Sequence, residues 1–465
     1  MKRKIAVFTH SFLAAFLVFA FSQSALAQEF GVGQMDPDIY LEPMAFTTGV
    51  QGANVVGSHN QTFESEWTEI APACKACPPA ECFPLAGVLE FDTDYTSQML
   101  DFQNRQGDKE VILLRRAAIQ QIGTAFTFGT QFRASGLFAE TNTANKFSYL
   151  GRFPPDFTGS SATDIRLLQA NQNITVDVSP AIHGYFETLF SDVFTFPTFQ
   201  QGSFQVRQAY VVFGDLNRSP FYAHIGKKNV SFGDMGTLSP FSQAMPWHYF
   251  APLAEGAGIG YDNGWLNATV TALNGSRGIR VVDSEEAGHI NNFAANMNCT
   301  ILLGVDSQLE LGGGYLHGTI YNAAVAEHID PTSFGPDNPA WDANAALRVG
   351  QYHFAGEYVQ TVNPWPATDS EVIAYSAEAA VDMYLFGRPG RASVSWSEGI
   401  QGADGTQFEF NRQLVLGYRH QAFTNAAFTF EYVRSTGFAP LMNIQTVSDI
   451  DVEQDSFVFG AVITL

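Results

Sequence analysis

The sequence carries little charge for its length and has few basic residues. Only 15% of its 465 residues are charged, and 24 Lys and Arg stand against 46 Asp and Glu, which gives a net charge of −22. Ordinary soluble domains carry about a quarter charged residues, and nucleic-acid binding requires clustered basic side chains. The composition therefore argues against a water-soluble domain and against a nucleic-acid partner.

The chain also lacks an apolar run long enough for a membrane-spanning helix. Its longest apolar stretch, Phe12 to Phe21, is shorter than the roughly 20 residues that a spanning helix needs. This stretch follows the basic residues MKRK and precedes SALAQ, where Ala25 and Ala27 occupy the small-residue positions of a cleavage site. We therefore predict a secretory signal peptide over residues 1–27, cleaved after Ala27.

Cysteine is scarce as well. Cys74, Cys77 and Cys82 lie together in a Pro-rich segment, and Cys299 stands apart. Zinc sites need four ligands at a recognisable spacing, which this cluster does not offer, so no metal site is predicted. In an oxidising compartment a disulfide within the cluster is the favoured interpretation, and the joined pair stays open. We assign this cluster to a periplasmic N-terminal region over residues 28–85.

Phenylalanine and glycine are abundant instead, with 41 of each. From about residue 86 onward, apolar and polar side chains alternate in stretches bounded by turn residues. At the C-terminus Phe457, Phe459 and Ile463 fall on one face, whereas Val458 and Val462 fall on the other. An alternation with a period of two is typical of strands whose two faces meet different surroundings.

The connections between these stretches alternate in length. Tight turns such as Asn263-Gly264 are separated by long polar loops, for example residues 229–252 and 321–341. Transmembrane barrels have this asymmetry, with short periplasmic turns and long extracellular loops. We therefore predict an all-β fold for residues 86–465, a transmembrane antiparallel up-and-down β-barrel of about 18 strands, with 16 as the alternative. The segment 111–121 is the doubtful strand, because its period also suits a short helix.

A barrel of this kind implies a location and a set of partners. An even strand count puts both ends in the periplasm, as bacterial barrels require. The predicted location is the cell outer membrane of a Gram-negative-type bacterium. The expected partners are the lipid bilayer, lipopolysaccharide and the barrel-assembly machinery.

Directing the apolar face of each strand toward lipid places the opposite face in the lumen. The predicted pore-lining residues are Glu90, Asp92, Asp94, Arg133, Glu187, Arg207, Lys228, Glu310, Arg348, Glu357, Glu378, Asp382, Glu409, Arg419 and Glu431. Acids outnumber bases in this set, and carboxylates that line a pore raise the local concentration of cations. We therefore expect a modest cation preference, although pairing across the wall is the alternative role for these residues.

Enzymatic motifs are missing from the sequence. It contains no organised Ser, Asp and His arrangement for nucleophilic catalysis, and no phosphate-binding loop, HExxH or EF-hand pattern. We therefore predict no enzymatic activity, no catalytic residue and no cofactor.

Residues 164–275 carry a recognisable pattern. The piece AYVVFGDL, followed by PFYAHIGKKNVSFG, combines a strand, a short turn, a return strand and a Phe-Gly pair at its outer end. This pattern resembles the LbtU family of siderophore porins. The resemblance implies an outer-membrane channel that admits a ferric siderophore without the plug domain of energised receptors.

The short N-terminal region agrees with an open passage, because residues 28–85 are too few for such a plug. Residues 229–252 and 321–341 are the loops expected to form any constriction, and Trp247, His248 and Tyr249 are expected at the membrane rim rather than stacked on a ligand. The predicted function is passive passage of small solutes, either iron-siderophore or another cationic solute. The alternatives are a structural or adhesive barrel and a general or anion-selective porin.

Overall fold

A computed structural model of the chain describes residues 89–120, 125–148, 159–191, 203–281, 288–322, 335–406, 408–438 and 451–465. The predicted signal peptide and the cluster Cys74, Cys77 and Cys82 lie outside the described residues, and so do residues 323–334 of the loop 321–341. These predictions therefore stay predictions.

The described residues form three short helices and many strands. The helices are α1 (Thr93–Met99), α2 (Lys109–Gln120) and α3 (Met245–Phe250). The strands are β1 (Leu89–Phe91), β2 (Ala125–Thr141), β3 (Ser161–Ser179), β4 (Ile182–Ser191), β5 (Ser203–Phe213), β6 (Phe221–Asn229), β7 (Leu253–Asp262), β8 (Leu266–Ile279), β9 (Ile290–Gly304), β10 (Ser307–Leu316), β11 (Ala340–Val349), β12 (Tyr352–Thr361), β13 (Ile373–Leu385), β14 (Arg388–Ile400), β15 (Phe410–Phe423), β16 (Ala426–Gly437) and β17 (Val452–Thr464). None of the described helices is long and apolar enough to cross a membrane.

Strands β2 to β17 form a closed antiparallel wall. Each strand pairs with its neighbours in the chain, and β17 closes the ring by pairing with β2, for example Phe457 with Phe138. The wall therefore has 16 strands, which confirms the predicted fold class at the lower of the two strand counts. Closure leaves no unpaired wall edge, as a barrel in lipid requires.

The two ends of the barrel differ in the length of their connections, as predicted. Short turns join β7 to β8 and β9 to β10 at one end, whereas long connections follow β6 and β10 at the other. At the short turn after β7, the Oδ1 atom of Asn263 accepts hydrogen bonds from the N–H groups of Trp265 and Leu266. Gly264 has a φ of 93°, a left-handed conformation that suits glycine. The end with the short turns is the periplasmic end.

The outer surface of the wall is apolar and exposed. On β17, Phe457 and Phe459 are 45% and 48% exposed, whereas their neighbours Ser456 and Val458 point inward and are buried. Phe459 packs edge-on against Phe138 of β2, with 6.2 Å between the ring centroids. This distance lies within the range typical of aromatic pairs. The predicted face assignment of this strand is therefore confirmed, and its exposed face suits contact with lipid.

The first described part of the predicted barrel, residues 89–120, is not part of the wall, and it includes most of the doubtful strand 111–121. Within residues 89–120 only Leu89–Phe91 is extended, and it pairs in parallel with the first residues of β2. The segments that follow form α1 and α2, which lie inside the barrel; we call residues 92–120 the interior hairpin. Helix α1 begins at Asp92, whose side chain accepts a hydrogen bond from the N–H of Tyr95. The sequence analysis did not predict that residues 92–120 occupy part of the lumen, and its prediction that residues 28–85 form no plug domain lies outside the described residues.

Helix α2 is stable in this position because one of its faces is apolar. Leu113 and Leu114 are each 1% exposed, and they belong to a buried cluster with Tyr185, Tyr210 and Tyr222 of β4 to β6. Apolar residues recurring at helical spacing bury one face of a helix against a neighbouring surface. The alternative interpretation of segment 111–121, a short helix, is the one that the structure adopts.

The connection between β6 and β7 folds into the barrel; we call residues 230–252 the inward loop. The loop ends in α3, whose residues Trp247, His248 and Tyr249 are all buried. The next residue, Phe250, packs against Tyr321 with 5.5 Å between ring centroids. Placing this segment at the membrane rim is therefore wrong, because these aromatic side chains form part of an interior core.

Candidate functional site

Two ion pairs join the interior hairpin to the wall on one side of the lumen. Lys228 of β6 binds the carboxylate of Glu110, and both side chains are almost fully buried. Arg115 donates two hydrogen bonds to Asp262 of β7, 2.7 Å from Nη2 to Oδ1 and 3.0 Å from Nε to Oδ2. Bidentate pairing fixes orientation as well as distance. Helix α2 is therefore held to β6 and β7 by charge in addition to its apolar face.

Arg116, the next residue of α2, contacts β1, β2 and β3. Its Nη1 atom lies 3.3 Å from Asp177 of β3, and its Nη2 atom lies 2.7 Å from Thr127 and 3.0 Å from Glu90. The guanidinium carbon also lies 4.4 Å from the ring centroid of Tyr95, which is cation–π geometry. A single side chain thus connects α1, α2, β1 and the wall.

Burial shapes the electrostatics around the ion pair of Glu110. Burial is the largest influence on the pKa of Glu110 and would raise it, but Lys228, His224 and hydrogen bonds together outweigh burial and lower the pKa. Burial, followed by repulsion from Glu110, raises the pKa of Asp108 to about 6. Asp108 accepts hydrogen bonds from Ser231 and from Asn267, the second at 2.8 Å. Lys228 is thus the cation on which the ionisation of Glu110 depends.

The tip of the interior hairpin meets the inward loop across the lumen. Gln103 donates to the carbonyl oxygens of Ser239 and Ser242 at 3.0 and 3.1 Å, and Gln243 donates to the carbonyl of Phe102. Arg133 of β2 donates to the Oε1 atom of Gln103 at 3.0 Å. The hairpin and the loop together therefore obstruct the interior of the barrel at this level.

The inward loop is fixed to the wall by carboxylates. Glu357 of β12 accepts backbone N–H bonds from Asp234 and Met235 at 2.8 and 2.9 Å. Glu378 of β13 accepts from the N–H of Leu238 at 2.5 Å and from the hydroxyl of Thr237. Buried backbone N–H groups need an acceptor, and the two glutamates supply it. These glutamates therefore act as anchors of the loop.

Glu431 of β16 supplies a third anchor. It accepts bonds from the N–H groups of Phe241 and Ser242, at 2.8 and 3.0 Å, and from the hydroxyl of Ser242. Its exposed fraction is 0%. A carboxylate used in this way is screened from the lumen by the loop that it holds.

The anchored loop packs closely against the wall, and Gly460 of β17 makes this possible. Replacing Gly460 by alanine is expected to lower the free energy of unfolding by about 1–3 kcal/mol, because overpacked interiors must shift to accept a methyl group. The added Cβ would lie 2.2 Å from the Oγ1 atom of Thr429 on β16 and 2.5 Å from a ring carbon of Phe241 on the inward loop. The measurement is the urea concentration at which half of the purified barrel is unfolded, monitored by the mobility of the barrel on a gel.

Gly136 of β2 provides the matched control. A Cβ added there meets no atom within 4 Å, and Gly136 pairs with Phe459 in the same region of the sheet. We expect Gly136→Ala to leave the midpoint unchanged. Equal losses for Gly136→Ala and Gly460→Ala would contradict a special role for the contact with Phe241.

Most of the predicted pore-lining residues lie on inward-facing strand positions. These are Arg133, Glu187, Arg207, Lys228, Glu310, Arg348, Glu357, Glu378, Asp382, Arg419 and Glu431. Several of them bind neighbours on the wall. Asp382 pairs with Arg391 at 2.6 Å and with His353 at 2.7 Å, and Glu187 accepts a bond from Gln208 at 2.8 Å.

Four predicted lumen positions are not part of the barrel wall. Glu90 lies on β1, which is outside the wall, and Asp92 and Asp94 lie at the start of α1, because the chain becomes helical at Thr93. Glu409 precedes β15 in an outer connection, where its Oε2 atom accepts a bond from the N–H of Gly405. Their predicted places on wall strands are therefore wrong, whereas their role in lining the pore stays a prediction.

The strand pattern missed the functional groups of the interior hairpin. Arg105, Lys109, Arg115 and Arg116 add positive charge to the lumen, and Asp108 and Glu110 add negative charge. With Asp92, Asp94 and Asp101 the interior hairpin carries five acids and four bases, so the excess of acids over bases that was counted on the strands persists in the interior. Helical spacing in KEVILLRRAAIQ was the signal that could have revealed these residues.

A cavity of about 120 Å³ remains between the interior hairpin, the first residues of the inward loop and strands β8 to β11. Its walls include Asp234, Glu310, Asn298 and Asn344, and it extends to Trp265 at the periplasmic turn after β7. Across the described part of the chain, no group of His, Cys, Asp and Glu is arranged to hold a metal ion. The cavity therefore combines carboxylate and amide groups with apolar side chains such as Ile112 and Leu266.

Comparison with solved structures identifies the architecture. The outer membrane channel DcaP of Acinetobacter baumannii superposes with a TM-score of 0.51 at 11% identity, covering 74% of this chain and 98% of that chain. An anion-selective porin from Comamonas acidovorans gives a TM-score of 0.49 at 12% identity, covering 74% and 100%. No family model and no curated protein matches the chain.

At such low identity the likeness to DcaP concerns the fold. A closed wall, an apolar exposed outer face and short turns at one end satisfy the physical requirements of a barrel in lipid. The LbtU subfamily that the sequence resembles finds no support among these structures. The protein is a β-barrel with the porin fold, located in the outer membrane of a Gram-negative-type bacterium.

Proposed function

We propose that the protein is an outer-membrane channel for the passive passage of small solutes, with a preference for cations. The observation that carries the proposal is the cavity with carboxylate and amide groups in its walls, which lies inside a closed barrel, is bordered by the inward loop and reaches the periplasmic turns. Polar groups lining a restricted passage select solutes by charge and size. The 16-strand wall is of the size at which barrels enclose an aqueous channel.

The preference for cations rests on which charges remain uncompensated. Arg115, Arg116 and Lys228 each bind a carboxylate. Asp234 and Glu310 line the cavity, and no ion pair to either carboxylate is found among the described residues. Unpaired carboxylates in a cleft with low-dielectric walls raise the local concentration of cations.

A ferric siderophore is the larger solute that the sequence resemblance implies. Drug-sized ligands occupy pockets of about 300–1,000 Å³, and the cavity measures about 120 Å³. Siderophore passage therefore requires the interior hairpin to leave the lumen. We propose small cations as solutes of the barrel in the described conformation, and ferric siderophores as solutes of a barrel with the hairpin withdrawn.

The experiment is to measure the reversal potential of the purified protein in planar bilayers across a KCl gradient. We expect discrete conductance steps and a reversal potential whose sign shows that K⁺ permeates more readily than Cl⁻. A barrel that is electrically silent, or one that favours chloride, would contradict the proposal. Uptake of labelled ferric siderophore by a deletion strain tests the larger solute separately.

A structural or adhesive role is the second candidate, and the occupied lumen favours it. The interior hairpin and the inward loop meet through Gln103, Gln243 and Ser242, which obstructs the barrel interior. This candidate predicts a silent bilayer, together with loss of envelope integrity or attachment when the gene is deleted. Conductance at the single-channel level would exclude it as the sole function.

A further inference from the structure

We propose that the cavity between the interior hairpin and strands β9 to β11 is a binding site for a small organic cation that carries a primary ammonium group. The proposal rests on the channel function proposed above, since it names a class of solute for that channel. It is carried by carboxylate and amide groups that border one space, among them the Oε2 atom of Glu310 and the carboxylate of Asp234, for which the described residues provide no donor.

The floor of the site is built on Gly312 of β10. Gly312 pairs with Asn298 of β9 on one side and with Asn344 of β11 on the other. A Cβ atom at residue 312 would clash with the Oδ1 atoms of both asparagines. The missing side chain therefore allows two amide oxygens from neighbouring strands to converge above the sheet.

Two carboxylates border this floor. Glu310 receives its hydrogen bonds on one oxygen, since Thr300 and Gln308 both donate to Oε1 at 3.2 Å, and no bond to Oε2 is found among the described residues. The carboxylate of Asp234, on the inward loop, has no hydrogen-bond donor in the described part of the chain, and burial raises its pKa. Burial of a carboxylate without a donor is costly, and a cation removes that cost.

The hairpin contributes a buried amide to the border of the site. Asn104 lines the cavity, is 7% exposed and has an Oδ1 atom for which the described residues provide no hydrogen-bond partner. Buried polar atoms are nearly always satisfied by protein or by ordered solvent. Asn104 thus borders the site as a buried polar residue, and the acceptors that a ligand in the cavity can reach are the carboxylates of Glu310 and Asp234 and the amides of Asn298 and Asn344.

An ammonium group matches these acceptors better than other cations do. It carries three N–H donors and no acceptor, so it can bond to a carboxylate and to amide oxygens at once. The cationic side chain lining the cavity, Arg115, is bound to Asp262. The described carboxylates are not grouped as metal ligands are. A volume of about 120 Å³ accommodates a short alkylammonium ion together with water.

The test is calorimetric titration of the detergent-solubilised full chain with n-butylammonium chloride, with butan-1-ol as the neutral analogue. We expect saturable binding of the ammonium compound and none of the alcohol. Asp234→Asn and Glu310→Gln are each expected to weaken binding by about tenfold, the usual effect of removing one charge-assisted hydrogen bond. Both variants should fold, because the backbone bond of Asp234 to Glu357 and an acceptor oxygen at residue 310 remain.

Glu409→Gln is the matched control, because this carboxylate lies in an outer connection and binds the N–H of Gly405. It should bind n-butylammonium as the unaltered chain does. Absence of saturable binding would overturn the proposal, as would equal weakening by Glu409→Gln. Displacement of the ammonium compound by lower concentrations of CaCl₂ would assign the site to a metal ion and would also overturn it.

Binding in detergent does not depend on conduction, so the two proposals fail separately. A chain that conducts cations in bilayers but shows no ammonium binding leaves the channel proposal intact and removes the site. If the chain binds n-butylammonium but stays silent in bilayers, the binding site stands and the channel proposal is overturned. The ligand is then not a transported solute.

Discussion

Replacing Lys228 by methionine is expected to loosen the interior hairpin and to increase the conductance of the barrel. The substitution removes the cation that binds Glu110, whose exposed fraction is 0%. Breaking a buried ion pair by removing one partner costs about 3–5 kcal/mol, because a charge is left without compensation. The measurements are single-channel conductance and the rate at which trypsin cleaves after Arg115 and Arg116 in the intact barrel.

The double variant Lys228→Met/Glu110→Gln is the control. Removing both charges is expected to restore most of the docking, since replacing a whole buried pair is often nearly neutral. Conductance and protease resistance should then return toward those of the unaltered chain. If the single and the double variant behave alike, the ion pair does not hold the hairpin.

Replacing Glu431 by alanine is expected to release the middle of the inward loop. The change leaves the N–H groups of Phe241 and Ser242 and the hydroxyl of Ser242 without their acceptor. Each buried donor left unsatisfied costs about 1–3 kcal/mol, so a total loss of about 3 kcal/mol or more is expected. The urea midpoint of the barrel should fall, and the current through single channels should become noisier.

Glu453→Ala provides the comparison. Glu453 of β17 forms an ion pair with Arg434 at 3.1 Å, and both side chains are about half exposed. Exposed pairs contribute about 0–1 kcal/mol, so a small change in midpoint is expected. A loss at residue 453 as large as the loss at residue 431 would show that any missing carboxylate weakens the barrel.

The wall was predictable because its pattern is local. Lipid on one side and the lumen on the other impose a period of two, so Phe457 and Phe459 could be placed on the outer face from the sequence. The Asn263-Gly264 turn was predictable for the same reason, since its geometry depends on adjacent residues. Closure by pairing β17 with β2 follows from the general requirement that no strand edge remains open in lipid.

The interior was not predictable in the same way. Helix α2 has a helical pattern, but its apolar face packs on Tyr185 and Tyr210, which belong to strands far along the chain. When the alternation of apolar and polar residues is used to find barrel strands, a segment of this kind is assigned to the wall. Its location inside the lumen depends on partners such as Lys228 that no local pattern connects to Glu110.

The same limit applies to the candidate site. Strand alternation placed Glu310, Glu357 and Glu431 on the inner face. Glu357 and Glu431 bind backbone N–H groups of the inward loop, whereas Glu310 faces a cavity. Strand alternation did not distinguish these two roles. That distinction depends on the path of the inward loop, which is set by tertiary contacts rather than by the composition of the loop.

The position of β1 beside β2 has a topological consequence. The interior hairpin follows β1, and β2 is the next described element after it, so both of its ends lie at the periplasmic mouth. It enters the barrel as an unthreaded U and does not pass through the ring. Its withdrawal therefore requires the loss of side-chain contacts and of the backbone hydrogen bond from the N–H of Thr237 to the carbonyl of Gln103, while every strand pair of the wall, including the closure at Leu465 and Thr130, stays intact.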